Sequence, residues 1–159
     1  MRKFFIVPIV AALSFSAVDA QDFDTLMSSY GLVDIKSIDN EILVELKYSS
    51  ADNFVGEDMY GNLERAYFES SFADRVVKAQ QILKRRYPNY TLLIYDAARP
   101  ISVQRHMRKV VDGTQFEGFV ADGTKGGRHN YGVAVDLTIA HLDGSPLDMG
   151  AGFDDFSEV

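Results

Sequence analysis

Residues 133–139, Val-Ala-Val-Asp-Leu-Thr-Ile, set the strongest constraint on the fold. Val133, Val135, Leu137 and Ile139 alternate with Ala134, Asp136 and Thr138, the period-2 pattern of a strand with one apolar face against a core. Asp136 sits on the other face, between small residues. A carboxylate in so apolar a strand needs a partner wherever it is buried. Seven residues earlier stands His129, and Asn130-Tyr131-Gly132 between them is turn chemistry. Along one straight strand the two side chains would stand about 23 Å apart. Ligands of one zinc ion each lie about 2 Å from it. The pair can therefore share a metal only if the chain folds back between them. The other reading makes Asp136 a partner of backbone groups at a sheet edge and His129 a solvated loop residue.

The rest of the chain supplies the partners of that strand. With 159 residues and 47% apolar content, one compact domain with a core is the expectation. Met1-Arg2-Lys3, the apolar run from Phe4 to Val18 and the small residues at Val18-Asp19-Ala20 read as a secretory signal peptide over residues 1–20. The domain then covers residues 21–159. The net charge of -7 argues against a nucleic-acid partner and against docking on anionic lipid. With no cysteine there are no disulfides and no thiolate metal site, so any metal must be held by His, Asp or Glu.

Residues 42–48 partly alternate and read as a strand, followed by a polar loop ending at Gly56. Ser70 or Ser71 can cap a helix whose apolar stripe is Phe72, Val76, Ala79, Leu83 and Tyr87, with Lys84-Arg85-Arg86 in its last turn and Pro88 as its stop. Residues 90–96 read as a buried strand. Pro100 suits the start of a second helix with the stripe Val103, Met107 and Val110. Residues 112–128 form a long Gly-rich loop of a length often tied to function. The order of elements predicts an α+β domain, helices packed on a small, mostly antiparallel sheet. Arg99, at a strand end before a helix, can present a fixed guanidinium to a carboxylate or an oxyanion. It can equally form a structural ion pair with Asp96.

Three segments in order carry a resemblance: Lys47–Gly56 (KYSSADNFVG), Tyr95–Pro100 (YDAARP), and His129-x-x-Gly132-x-Ala134-x-Asp136-Leu137-Thr138. Together they resemble the D-alanyl-D-alanine dipeptidase family, the VanX type of zinc D,D-peptidase, from about residue 30 onward. The resemblance implies the small α+β fold of that group and one Zn2+ held by His, Asp and a second His. His129 and Asp136 fall on the first two metal positions and Arg99 on the arginine that stabilises the transition state. Tyr48, Asn53 and Phe54 fall in a segment near the substrate cleft. It further implies hydrolysis of a small D,D-dipeptide in cell-wall metabolism, and the signal-peptide reading of residues 1–20 sets the expected location as secreted or periplasmic. Two departures stand out. Gly127 occupies a place where the family often has Ser. The general-base Glu and, three residues on, the third ligand His belong to a later segment of the family pattern, while this sequence ends at Val159. His141, five residues from Asp136, faces away from it along a strand, and His106 falls on a helix surface. A fragment with its C-terminal part missing is the expectation, with apolar surface exposed over residues 133–142. The alternative is an inactive fragment or a secreted binding module.

Overall fold

The computed structural model describes residues 22–156. The signal-peptide reading of residues 1–20 lies outside the described residues. The chain forms α1 (Phe23–Ser29), β1 (Val33–Asp34), β2 (Leu43–Val44), β3 (Tyr67–Phe68), α2 (Ser70–Arg86), β4 (Tyr90–Asp96), α3 (Ile101–Val111) and β5 (Asp136–His141). Short 3-10 turns occupy Lys47–Ser49, Glu117–Phe119 and His129–Tyr131. This is the α+β class read from the sequence. β1 and β3 pair antiparallel. The main sheet has the order β2-β4-β5, with β2 parallel and β5 antiparallel to β4. Among the described residues, no helix is long and apolar enough to cross a membrane.

β4 is the spine. Its residues from Thr91 to Asp96 are all buried, with Leu92 and Ile94 in the main core and Leu93 and Tyr95 in a smaller cluster on the other face. α2 begins one residue earlier than a serine cap would set it. Glu69 is the cap, and its carboxylate accepts from the amide of Phe72 at 3.0 Å. The buried face of α2 is Ala73, Val76 and Gln80, while Ala79 and Tyr87 of the expected stripe are exposed. Gln80 is tolerated inside because both ends of its amide are hydrogen-bonded. It donates to Thr91 Oγ1 at 2.8 Å and accepts from the amide of Leu92 at 2.9 Å. α3 buries Val103, Gln104, Met107 and Val111.

Two predicted strands are shorter than the pattern suggested. The 42–48 segment is strand only at Leu43–Val44, since Lys47–Ser49 turns and Tyr48 goes into the core. β5 begins at Asp136 rather than at Val133. The turn before it consumes the backbone groups a strand would use: Tyr131 and Val133 donate to Arg128 O, and Gly132 donates to His129 O. Val135 and Ile139 pack on the main core, but Leu137 is 39% exposed and Leu142 56%. The opposite face of β5 is not simply outward either, because Ala140 is fully buried against Leu93 and Tyr95.

Candidate active site

The site forms where β4 ends and β5 begins. The register of the pair places Asp96 opposite Asp136, next to an irregularity between Ile94 and Asp96. Both carboxylates thus arrive at one end of the sheet. The chain folds back to bring His129 there too. Arg99 donates its amide to His129 O at 3.0 Å, and Asn130 Nδ2 donates to Arg99 O at 2.9 Å. Asn130 Oδ1 also accepts from the amide of Gly127 at 2.6 Å, which closes the turn. Gly132 completes it at φ 68°, and a Cβ there would come within 2.8 Å of the Glu69 amide nitrogen. Only glycine suits that backbone and that approach. So the residues between His129 and Asp136 do turn, as a shared site requires.

His129 Nδ1 lies 2.8 Å from Ala97 O. That bond fixes Nδ1 as the protonated nitrogen and leaves the Nε2 lone pair free. Nε2 is 3.7 Å from Asp136 Oδ2. Two atoms bound tetrahedrally to one zinc stand about 3.3 Å apart, so the pair needs to close by only a few tenths of an ångström. The donor set, one imidazole nitrogen and one carboxylate oxygen with no competing hydrogen bond, fits a divalent cation. Among the described residues, the Asp136 carboxylate has no hydrogen-bond donor. Burial and the nearby charge of Asp96 raise its pKa, against the pull of His129 and Arg99.

Asp96 belongs to the same cluster: it, His129 and Asp136 each offer a ligand atom within 4.8 Å of the others. Its environment differs. Asp96 is fully buried, Oδ1 accepts from Tyr60 Oη at 2.6 Å, and Oδ2 accepts from Arg99 Nη2 at 2.5 Å. Arg99 is 8% exposed. Its Nη1 donates to Gln104 Oε1 at 2.9 Å, and the guanidinium lies 5.0 Å from the centre of the Tyr48 ring. Burial is the largest influence and works against its charge, but Asp96 together with Tyr60 and Tyr48 outweighs it and holds the pKa above the ordinary arginine value. Arg99 Nε is buried and has no hydrogen-bond partner. The ion pair with Asp96 is therefore real, and it fixes the guanidinium beneath the site instead of extending it into solvent.

Tyr48 also donates to Asp154 Oδ2 at 2.8 Å. Burial and the Asp136 charge raise the pKa of Asp154, partly offset by the Tyr48 bond. Phe54 stands behind Tyr48, edge-on at 6.2 Å, and contacts Phe116 and Phe156. Asn53 makes no contact with the site. Its amide holds its own loop, donating to Ser50 O and Glu57 O and accepting from the amides of Val55 and Gly56. A cleft of about 1010 Å³ opens beside Asp136, lined also by Tyr95, Thr138, Leu147 and Asp154. His106 pairs with Glu57 on the surface and His141 packs edge-on against Tyr90, so neither joins the site.

Sequence reasoning missed Tyr60, Gln104 and Asp154. Tyr60 reads as part of a Tyr-Gly-Asn turn, Gln104 as a polar helix position and Asp154 as one acid among several. Asp96, by contrast, left a signal, as a charge at the end of an apolar strand three residues before an arginine.

An α+β domain with a cation-ready imidazole and carboxylate beside a buried arginine has the parts of a peptidase. The comparison with known families agrees: residues 28–159 match the peptidase M15 model, described as D-Ala-D-Ala dipeptidase. The chain is also 35% identical over 127 residues to the D-alanyl-D-alanine dipeptidase of Escherichia coli (strain K12), covering 80% of this chain and 63% of that protein. The chain belongs to the D-Ala-D-Ala dipeptidase family. It spans less than two thirds of the length of that relative.

Proposed function

We propose that this chain carries the larger part of a zinc-dependent D-alanyl-D-alanine dipeptidase. Its substrate is a small D,D-dipeptide of cell-wall metabolism, and it acts outside the cytoplasm, as a secreted or periplasmic protein. The observation that carries the reading is the open His129 Nε2 and Asp136 Oδ2 pair, 3.7 Å apart, with Asp136 lining a cleft and Asp96 fixing the buried Arg99. His129 and Asp136 would hold the zinc. Once bound, zinc supplies Lewis acidity toward the scissile carbonyl and lowers the pKa of water. Ala97 O keeps the His129 lone pair on Nε2. Asp96 keeps the Arg99 charge in place, where it favours the negative charge that develops on the carbonyl oxygen. Tyr48, whose ring covers the Arg99 guanidinium, and Phe54 behind it would serve the substrate side of the site. The family pattern gives the proton transfers to a Glu, and none of the described residues takes that position at the His129–Asp136 pair.

The test uses the protein as its own gene encodes it. It should retain about one zinc per chain. It should release D-Ala from D-Ala-D-Ala and leave L-Ala-L-Ala intact. Cleavage of a pentapeptide ending in D-Ala-D-Ala, with the free dipeptide untouched, would move the substrate to a carboxypeptidase type. A protein that holds zinc and cuts neither substrate would leave a binding module in place of an enzyme.

A further inference from the structure

Asp96 has two oxygens and three claimants. Arg99 Nη2 takes Oδ2 at 2.5 Å, Tyr60 Oη takes Oδ1 at 2.6 Å, and His129 Nδ1 passes Oδ2 at 3.4 Å. A cation on His129 would sit at Nε2, the far side of the ring, because Nδ1 is engaged by Ala97 O. Even so, an Asp96 oxygen lies close enough to be drawn into a ligand set. What prevents this is the plane of the carboxylate. With Oδ1 bound to Tyr60, the group cannot rotate without breaking a buried, charge-assisted hydrogen bond.

Tyr60 is itself held from both sides. It is 1% exposed, and its ring packs edge-on against Tyr48 at 6.1 Å. Its amide donates to Tyr48 O at 3.1 Å and to Asp58 Oδ1 at 3.0 Å. The same short segment thus fixes Tyr48, which lies on Arg99, and Tyr60, which lies on Asp96. Packing alone does not need the hydroxyl, since phenylalanine fills nearly the same space. A buried hydroxyl is retained at little cost only when it has a partner, and here its partner is the carboxylate between the two arms of the site.

We propose that Tyr60 is a positioning residue: through Oδ1 it commits Asp96 to Arg99 and keeps Asp96 out of the metal ligand set. The proposal rests on the functional reading above. It predicts an unusual pair of effects for Tyr60→Phe. kcat for D-Ala-D-Ala falls by roughly 10- to 100-fold, the worth of one hydrogen bond to a charged group, while KM changes by less than about threefold. Affinity for Co2+, used as an absorbing probe, is retained or tightens by roughly threefold as Oδ1 becomes available. A purely structural loss would weaken Co2+ binding and activity together.

The second variant is Asp96→Asn, compared with Asp136→Asn by Co2+ titration. As a positioning residue, Asp96 should cost less than about 100-fold in affinity, the range for partners outside the ligand set, and Asp136 should cost more. Equal losses overturn the proposal. So does a folded Tyr60→Phe protein with wild-type kcat. If wild type binds Co2+ but cuts no dipeptide, the functional reading falls, and the Co2+ titrations of the three variants still decide the placement of Asp96. A wild-type protein that binds no metal overturns both.

Discussion

Asp96 at the end of β4 and Asp136 at the start of β5 are register partners with the same side chain and opposite surroundings. Asp96 is buried, and each of its oxygens receives a hydrogen bond. Asp136 is half-buried, receives none among the described residues, and faces an open cleft. Equal chemistry in the sequence has become two roles. A saturated carboxylate can only hold its neighbours. An unsatisfied one beside a free imidazole lone pair can take a ligand from outside. The difference predicts that changes on the β4 side act mostly through folding and orientation, and changes on the β5 side mostly through binding.

The largest effect that sharpens this contrast is on metal. Asp136→Asn or His129→Ala should weaken zinc binding by more than about 100-fold, measured by competition with a chelator, while far-UV circular dichroism stays at the wild-type level. Retained zinc in either variant would break the comparison. Next comes stability on the β4 side. Arg99→Ala leaves Asp96 buried without its cation and should cost about 3 kcal/mol by urea denaturation. A cost near zero would mean that Asp96 is less constrained than its contacts imply. Asn130→Ala falls between the two sides, because its amide joins the His129 turn to Arg99. It should cost about 1–2 kcal/mol and also weaken zinc binding by roughly tenfold.

The smallest effect concerns pH in the metal-free protein. The pKa of Asp136 is raised by burial, so its ionisation works against the folded state. The sign is that of a group favouring folding when protonated. Its contribution is present below about pH 4, the unfolded carboxylate range, and is lost as pH rises through the higher folded value. Metal-free Asp136→Asn should therefore melt slightly above wild type at pH 7, a shift that solvent screening of the half-exposed carboxylate keeps small, and the gap should close below about pH 4. Bound zinc should reverse the order at pH 7.

Much of this contrast was legible in residue order, and the limits are physical. His129, Asp136 and Arg99 could be selected because a carboxylate in an apolar strand, a turn before it and an arginine at a strand end are local patterns. The spine strand, residues 90–96, and both main helices followed from periodicity. The length of β5 did not, since its first residues lost their backbone groups to a turn whose partners come from Arg128 and His129. The buried face of α2 was misread at Gln80 because a polar residue enters a core only when a distant strand supplies its bonds, here Thr91 and Leu92. Tyr60 lies 36 residues before Asp96, and their hydrogen bond exists only after the sheet has formed. Asn53 was placed near the substrate by its motif alone, and its amide holds its own loop, a role that residue order did not show.

Gln104 has a consequence of its own. Its carbonyl accepts from Arg99 Nη1, and its amide donates to Ala121 O, in the long loop after α3. One side chain therefore connects the buried cation to a segment at the surface. Opening of that connection frees the Nη1 proton of Arg99, while Asp96 still holds Nη2. The exchange rate of that Nη1 proton, followed by NMR, thus becomes a clock for the loop at Ala121, readable without a substrate and without a metal.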